Sequence, residues 1–321
     1  MKFGFIPKEW NDYFEDAYKQ LKAAENFNFD SVWFEEHHEN ERYLPCPISA
    51  LNSIFSYTNL KLGAIVILPL YHPYRLAEEI SQLDCISKGR VIIAAVAGYR
   101  EKDFKNFGIG LNKRSNLMDE GLRLLIELLS NEEVNFEGKY FSMKNARIIP
   151  RPYQKPRPPI WVGAWKESAV LRATKLADAW LPGQTAKLSE VAKIKICYEE
   201  ILKKLGRSVN VFPILRDVYV AKNKDLAYEE SKESIIEMYQ IDYSSSQHPL
   251  IGGERKSIEE WIEDRIIIGS PDDAIEFIDR IRKLGFNYLI FRTSLRKLRS
   301  EQIISSIKIL GEKVIPYFIN N

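Results

Sequence analysis

The sequence predicts an α/β fold, a closed (β/α)8 TIM barrel with insertions, built as one domain over residues 1–321. Three observations carry this expectation. Eight short apolar segments recur along the chain, each followed by a stretch with helical apolar spacing, the alternation that wraps a parallel sheet in helices. A chain of 321 residues holds the roughly 250 residues of such a barrel with room for inserted loops. No Gly-x-Gly-x-x-Gly follows the first strand, which weakens the open dinucleotide-binding sheet as the competing solution.

Residues 2–6 form an apolar first strand closed by Pro7, and Tyr13, Ala17, Leu21, Ala24 and Glu25 recur after it at helical spacing. Residues 32–34 are the second strand. Pro45 and Pro47 punctuate the loop beyond, Pro47 suits a first helical turn, and Ile48, Leu51, Ile54 and Phe55 mark the helix. The unbroken apolar run 60–68 reads as a strand covered on both faces. A helix over 73–87 follows it, stopped by Lys88-Gly89-Arg90. Residues 91–97 are the fourth strand and 115–129 the fourth helix, with Ser115 as N-cap. Residues 134–136 and 139–141 around Glu137-Gly138 then spell a hairpin that interrupts the alternation. A proline-rich stretch, 150–159, leads to strands at 160–163, 179–181, 211–221 and 288–291. Helices are expected from about 166, and over 188–205, 226–239, 271–284 and 301–317. The polar region at about 241–270, with Ser244-Ser245-Ser246 and Gly252-Gly253, is too long for a bare connector and reads as an insertion or lid.

Hydrophobic residues at 45% and charged residues at 28% describe an ordinary globular composition. Lys and Arg number 46 against 44 Asp and Glu, so neither nucleic acid nor an anionic membrane is expected as a partner. No apolar run reaches the ~18–20 residues of a membrane span, and the run at 1–6 is too short for a secretion signal. A cytoplasmic location is expected. Cys46, Cys85 and Cys197 lie far apart without a Cys-x-x-Cys pair, the pattern of reduced thiols.

Chemistry concentrates in Asp30-Ser31-Val32-Trp33-Phe34-Glu35-Glu36-His37-His38. A short apolar strand runs into two acids and two of the chain's four histidines, at the strand end where parallel barrels keep their active sites. Taken alone, His37 and His38 read equally as capping or surface side chains of a loop. Strand neighbours point to opposite faces and a metal needs three converging ligands, so no metal site is expected here.

The stretch Phe29 to His38 is joined by Leu62-Gly63-Ala64-Ile65, by Leu68-Pro69-Leu70-Tyr71-His72-Pro73, and by Leu83-Asp84 with Ser87-Lys88-Gly89-Arg90. Gly98-Tyr99 with Lys102-Asp103-Phe104, Pro159-Ile160-Trp161-Val162-Gly163 and Leu176-Ala177-Asp178 complete the set. Through these blocks the chain resembles the bacterial luciferase-like flavin monooxygenases and their deazaflavin-using relatives, nearly throughout and in order up to Ile241. The resemblance implies an eightfold barrel with the isoalloxazine ring in its C-terminal mouth. It implies that His37 acts in catalysis beside that ring, an imidazole being suited to proton transfer near neutral pH, with His38 in support. It also implies a bulge with a non-proline cis peptide in Gly63-Ala64-Ile65, bringing Ala64 and Ile65 under the ring. Ala97, Gly98 and Tyr99, with Gly163, Ala164, Trp165, Lys166 and Ser168, are then the candidates for the cofactor's side chain and phosphate. Amides at a helix start, a lysine and a hydroxyl suit an anion, although an ordinary strand-to-helix turn reads the same way. Three positions depart from the luciferases: Ala97 replaces a phosphate-binding arginine, Val96 a reactive cysteine and Trp165 a serine. A phosphate would then fall to Lys166 or Arg100.

The activity implied is that of a two-component oxidoreductase, in which reduced FMN from a separate flavin reductase and O2 serve to oxidise a small organic substrate. The alternatives are deazaflavin-dependent hydride transfer and a flavin-binding protein without turnover. A homodimer is implied through the second and third helices, with Ile54 and Leu83 either on that surface or packed on the barrel. Arg292 either faces the mouth or is solvated, and Trp10, Tyr99 and Trp165 are expected to give an aromatic pocket.

Overall fold

Strands that are apolar on both faces need cover on both sides, and the chain supplies it by curling one parallel sheet on itself inside a shell of helices. A computed structural model describes residues 1–8, 14–40, 43–242 and 257–319. Its first half contains β1 (Lys2–Ile6), α1 (Glu15–Glu25), β2 (Ser31–Glu35), α2 (Pro47–Ile54), β3 (Lys61–Ile67), α3 (Pro73–Ile86), β4 (Val91–Val96), α4 (Glu101–Asn106) and α5 (Arg114–Ser130). The hairpin β5 (Val134–Glu137) and β6 (Ser142–Ala146) stands apart from the sheet. Next come β7 (Ile160–Gly163), α6 (Glu167–Leu176), β8 (Ala179–Leu181), α7 (Leu188–Lys204), β9 (Pro213–Val220) and α8 (Lys224–Ile235), which runs on as π-helix over Ile236–Asp242. The chain closes with α9 (Ile258–Arg265), β10 (Ile267–Gly269), α10 (Pro271–Lys283), β11 (Tyr288–Arg292), α11 (Ser300–Ile309) and α12 (Ile315–Ile319).

Nine strands share the sheet in the order β10-β9-β11-β1-β2-β3-β4-β7-β8, and every pairing within it is parallel. The curl brings β8 against β9. Arg216 of β9 spans this seam, its Nη1 donating to the carbonyls of Gly183 (3.3 Å) and Gln184 (3.4 Å). Eight strands were expected and the ninth is β10, which pairs with the second half of β9 while β11 takes the first half. A three-residue strand is too short to show a period of its own, so it was hidden in the region read as an insertion. That region also holds α9, started by a capping box between Ser257 and Glu260. Its remaining part, 243–256, lies outside the described residues, as do Trp10 and Tyr13.

Side chains alternate across the sheet and divide the core in two. Phe3, Val32, Leu62, Ile93 and Ile214 face the helices, where they meet Leu21, Leu51, Ile54, Leu76 and Leu83. Ile54 and Leu83 are thus buried against the sheet, which decides the alternative left open for them. The opposite face turns inward with Ile6, Trp33, Ile65, Ala94, Trp161, Leu215 and Ile290. Trp33 stacks on Trp161 at 4.9 Å, and Trp33 Nε1 and the Tyr288 hydroxyl both donate to Ser31 Oγ at 2.7 Å. Gly63 makes room for this filling, because a Cβ there would stand 2.0 Å from Cδ2 of Trp33.

Two local expectations need correction. The hairpin's second strand begins at Ser142 rather than 139, because Glu120 of α5 accepts the N–H groups of Lys139, Tyr140 and Phe141 and holds them as the turn. Ser115 does not cap α5, which starts one residue earlier with Lys113 at the cap position. The Ser115 hydroxyl is instead engaged by Arg172 Nη2 at 3.1 Å.

Candidate active site

The strand ends of β2, β3, β4 and β7 assemble most of the residues singled out in the sequence. Beyond β2 the chain turns its side chains in different directions. Glu35 faces inward toward Arg292, whereas Glu36 turns to β3, its Oε2 accepting the N–H of Ile67 at 2.7 Å. His38 Nε2 donates to Glu36 Oε1 at 2.8 Å, and this bond, ahead of the neighbouring charges, raises the His38 pKa above its ordinary 6.5. The His37 ring lies on the Tyr43 ring, 4.2 Å between centroids. Among the described residues no three metal-binding side chains gather.

In β3, Ile65 points inward and the Ala64 methyl packs toward the helices. The cis bulge implied for Gly63-Ala64-Ile65 is not found: β3 keeps unbroken register with β2 from Lys61 to Ile65 and with β4 from Leu62 to Ile67. The cis peptides among the described residues are Ile149–Pro150 and Lys155–Pro156. The need for glycine at position 63 comes instead from the Trp33 ring. Ala64 therefore presents only its backbone to the strand's inner side.

Gly98 has φ +69°, a conformation costly for a side chain, and lies against Ile67 and Phe104, where a Cβ would come within 2.7 Å of Ile67 Cγ2. Ala97 packs on the helix-facing core. The Tyr99 and Trp165 rings meet at 5.5 Å and 60°, joining the loop after β4 to the loop after β7. Trp165 also covers Gly183, and Gly163 sits beside Val96. Ala164 is buried, its carbonyl accepting Trp180 Nε1 at 2.9 Å. Lys166 occupies the N-cap of α6 without a side-chain cap bond, and both Lys166 and Ser168 are exposed beside the first-turn amides that such a helix leaves unpaired. Arg100, the other cation considered for a phosphate, directs Nη1 to the His38 carbonyl (2.8 Å) and to Asp103 (3.2 Å).

A second polar group was not foreseen. Two residues beyond inward Ile290 and Leu215, Arg292 and Asp217 also face inward, paired at 2.5 Å and 1% and 0% exposed. The other Asp217 oxygen accepts the Tyr239 hydroxyl at 2.6 Å, and Glu35 stands 3.6 Å from Arg292 Nη1. Burial pushes the Glu35 carboxyl above its ordinary 4.5, with Arg292 opposing the shift. The available signal was Arg292 at a strand end; Asp217 and Tyr239 lie in runs that read as ordinary strand and helix. A separate groove of about 460 Å³ between α7, α9 and α10, lined by Lys187, Ser189, Glu260, Glu263, Asp264 and Arg280, shares no residue with either group.

Known proteins resemble the chain along most of its length. The F420-dependent glucose-6-phosphate dehydrogenase of Microbacterium testaceum is 27% identical over 313 residues, 91% of this chain and 90% of that protein. The crystal structure of monooxygenase RslO1 from Streptomyces bottropensis matches with a TM-score of 0.87 at 20% identity, covering 99% of this chain and 100% of that one. The oxygenating constituent of 3,6-diketocamphane monooxygenase from Pseudomonas putida, a type II Baeyer-Villiger monooxygenase solved with FMN, matches at 0.78 and 19% identity over 98% of each chain. The latter two likenesses concern the fold. The profile of one family, luciferase-like monooxygenase, matches residues 5–288, and the chain belongs to that family.

Proposed function

We propose that the chain is a flavin-dependent monooxygenase that takes reduced FMN from a separate reductase and uses O2 to oxidise a small organic substrate. The observation that carries this reading is the family match over residues 5–288. We further read the curled sheet as a (β/α)8 barrel forming one domain over 1–321, in a cytoplasmic homodimer, with part of 241–270 as a lid. No helix among the described residues is long and apolar enough to cross a membrane.

The residues present fit a flavin. Ile65, Ile67 and Val96 offer an apolar wall at the strand ends, and Tyr99 with Trp165 offers a planar aromatic corner. The start of α6 with Lys166 and Ser168 is the donor set for its phosphate. When bound, the cofactor supplies the redox chemistry, and the protein binds, orients and excludes water. Ile65, Ala97, Gly98, Tyr99, Gly163, Ala164, Trp165, Lys166 and Ser168 contact the cofactor in this reading, and Ala64 does so through its backbone. His37 holds or moves a proton at an imidazole nitrogen.

The deazaflavin reading, hydride transfer without O2, draws on the F420-dependent relative that spans 91% of the chain. Titrating the purified protein with reduced FMN and with reduced F420, with and without O2, separates the two. Tight FMN binding with oxygen-dependent turnover is expected. Binding of F420 alone overturns the monooxygenase, and binding without turnover of any substrate leaves a flavin-binding protein. Replacing His37 by alanine is expected to lower turnover by about 10²-fold, the lower range for a positioned acid–base group, with little change in cofactor affinity; an unchanged rate removes its role.

A further inference from the structure

We infer that Glu36 is a positioning residue: its carboxylate ties the loops after β2 and β3 together and so fixes the backbone that carries His37. The inference rests on the reading that His37 acts at the mouth. Glu36 is 5% exposed, and burying a carboxylate is favourable only when its oxygens are satisfied. Oε2 accepts the Ile67 N–H at 2.7 Å and Oε1 accepts His38 Nε2 at 2.8 Å. Burial, and next the charge of this carboxylate, raise the pKa of the Tyr71 hydroxyl in the loop after β3. Each partner carries the constraint onward. The Ile67 side chain lies against Gly98. His38 meets the Phe107 ring at 4.9 Å, and its carbonyl accepts Arg100 Nη1 at 2.8 Å.

Around His37 the consequence is specific. The Glu36 N–H donates to the Ile65 carbonyl at 3.0 Å, so the backbone is held just before His37, and the Arg100 bond holds it just after. The side chains of Glu36 and His38 bond each other, so both chain neighbours of His37 are anchored. Charge reinforces the closure. Glu36 and Asp103 raise the His38 pKa while burial and Arg100 lower it, with the Glu36 bond the largest cause. A charged imidazole makes the stronger bond to a carboxylate.

Histidine ring NMR on the cofactor-free chain tests the clamp without reference to activity, each signal being assigned by replacing His37, His38, His72 or His248. In Glu36→Gln, His38 is expected to titrate at lower pH than in the unaltered chain, and in Glu36→Ala the His37 ring signals are expected to shift. Unmoved signals from His37 in the alanine variant overturn the inference. Should that variant fail to fold, as judged by circular dichroism, the glutamine variant decides by the same His37 signals. In turnover, Glu36→Ala is expected to lower kcat by about 10²-fold, the loss a misplacement near 1 Å brings, with a smaller change in KM. It is expected to add nothing in a His37→Ala background, and an additive loss overturns the route through His37. If the unaltered chain turns over with neither reduced cofactor, the proposed function fails, and the His37 signals still decide the clamp.

Discussion

The two sides of the curled sheet hold their polar groups by different means. On the side of β2, β3 and β4, Glu36 satisfies a backbone N–H and an imidazole, both supplied by residues 38–67. On the side of β9 and β11, Arg292, Asp217, Tyr239 and Glu35 form one buried network drawn from both ends of the chain. The donors around Glu36 can be lost one at a time at modest cost. In the second group a guanidinium 1% exposed balances carboxylates that have little access to water, so removing one partner strands another. The clamp is local and adjustable, and the Arg292 network is balanced as a unit.

Breaking the Arg292 network should therefore have the largest effect. Arg292→Met is expected to destabilise the fold by about 3–5 kcal/mol, the cost of leaving a buried charge uncompensated, read from the midpoint of urea unfolding. Replacing Arg292 and Asp217 together by Met and Leu should cost less than the single change, and a larger cost for the pair would refute the account of a coupled unit. Tyr239→Phe removes one hydrogen bond to Asp217 and is expected to cost about 1.5–3 kcal/mol, as for a bond to a charged group, by the same assay.

The smallest difference lies in pH. Glu35 and His38 both have raised pKa values in the fold, Glu35 through burial and His38 chiefly through Glu36. A raised folded pKa means stability that is fully present below the unfolded value and is lost as pH rises through the folded one. For Glu35 this loss begins above its ordinary 4.5 and for His38 above 6.5. Unfolding curves collected across pH are expected to lose the lower component in Glu35→Gln and the upper one in Glu36→Gln. Identical pH profiles in all three proteins would show that neither group is coupled to folding.

Much of this architecture was legible because it rests on local chemistry. Apolar runs such as 60–68, helix starts at Pro47, Pro73 and Pro271, and the acids and histidines after β2 are readable from neighbours in the chain. Of the site, Tyr99 and Trp165 were expected with Trp10 in one aromatic pocket, and the Tyr99 and Trp165 rings do meet. The π-helical end of α8 read as plain helix over 226–239, since only four of its residues fall in that stretch, too few to show a changed period. Glycine at 63 was visible, and its reason, the Trp33 ring on the neighbouring strand, was not.

What the sequence alone determined is the alternation of strand and helix, the polar residues that end the strands, and the resemblance that points to a flavin-type cofactor. Only the tertiary structure decided which side chains share a face across strands far apart in sequence. It paired Arg292 with Asp217, 75 positions away, turned Glu35 to that pair and Glu36 to β3, and slipped β10 beside the far half of β9. The physical reason is that a buried charge has no sequence pattern of its own: its position is set by the partner that balances it, and the curl of the sheet chooses that partner.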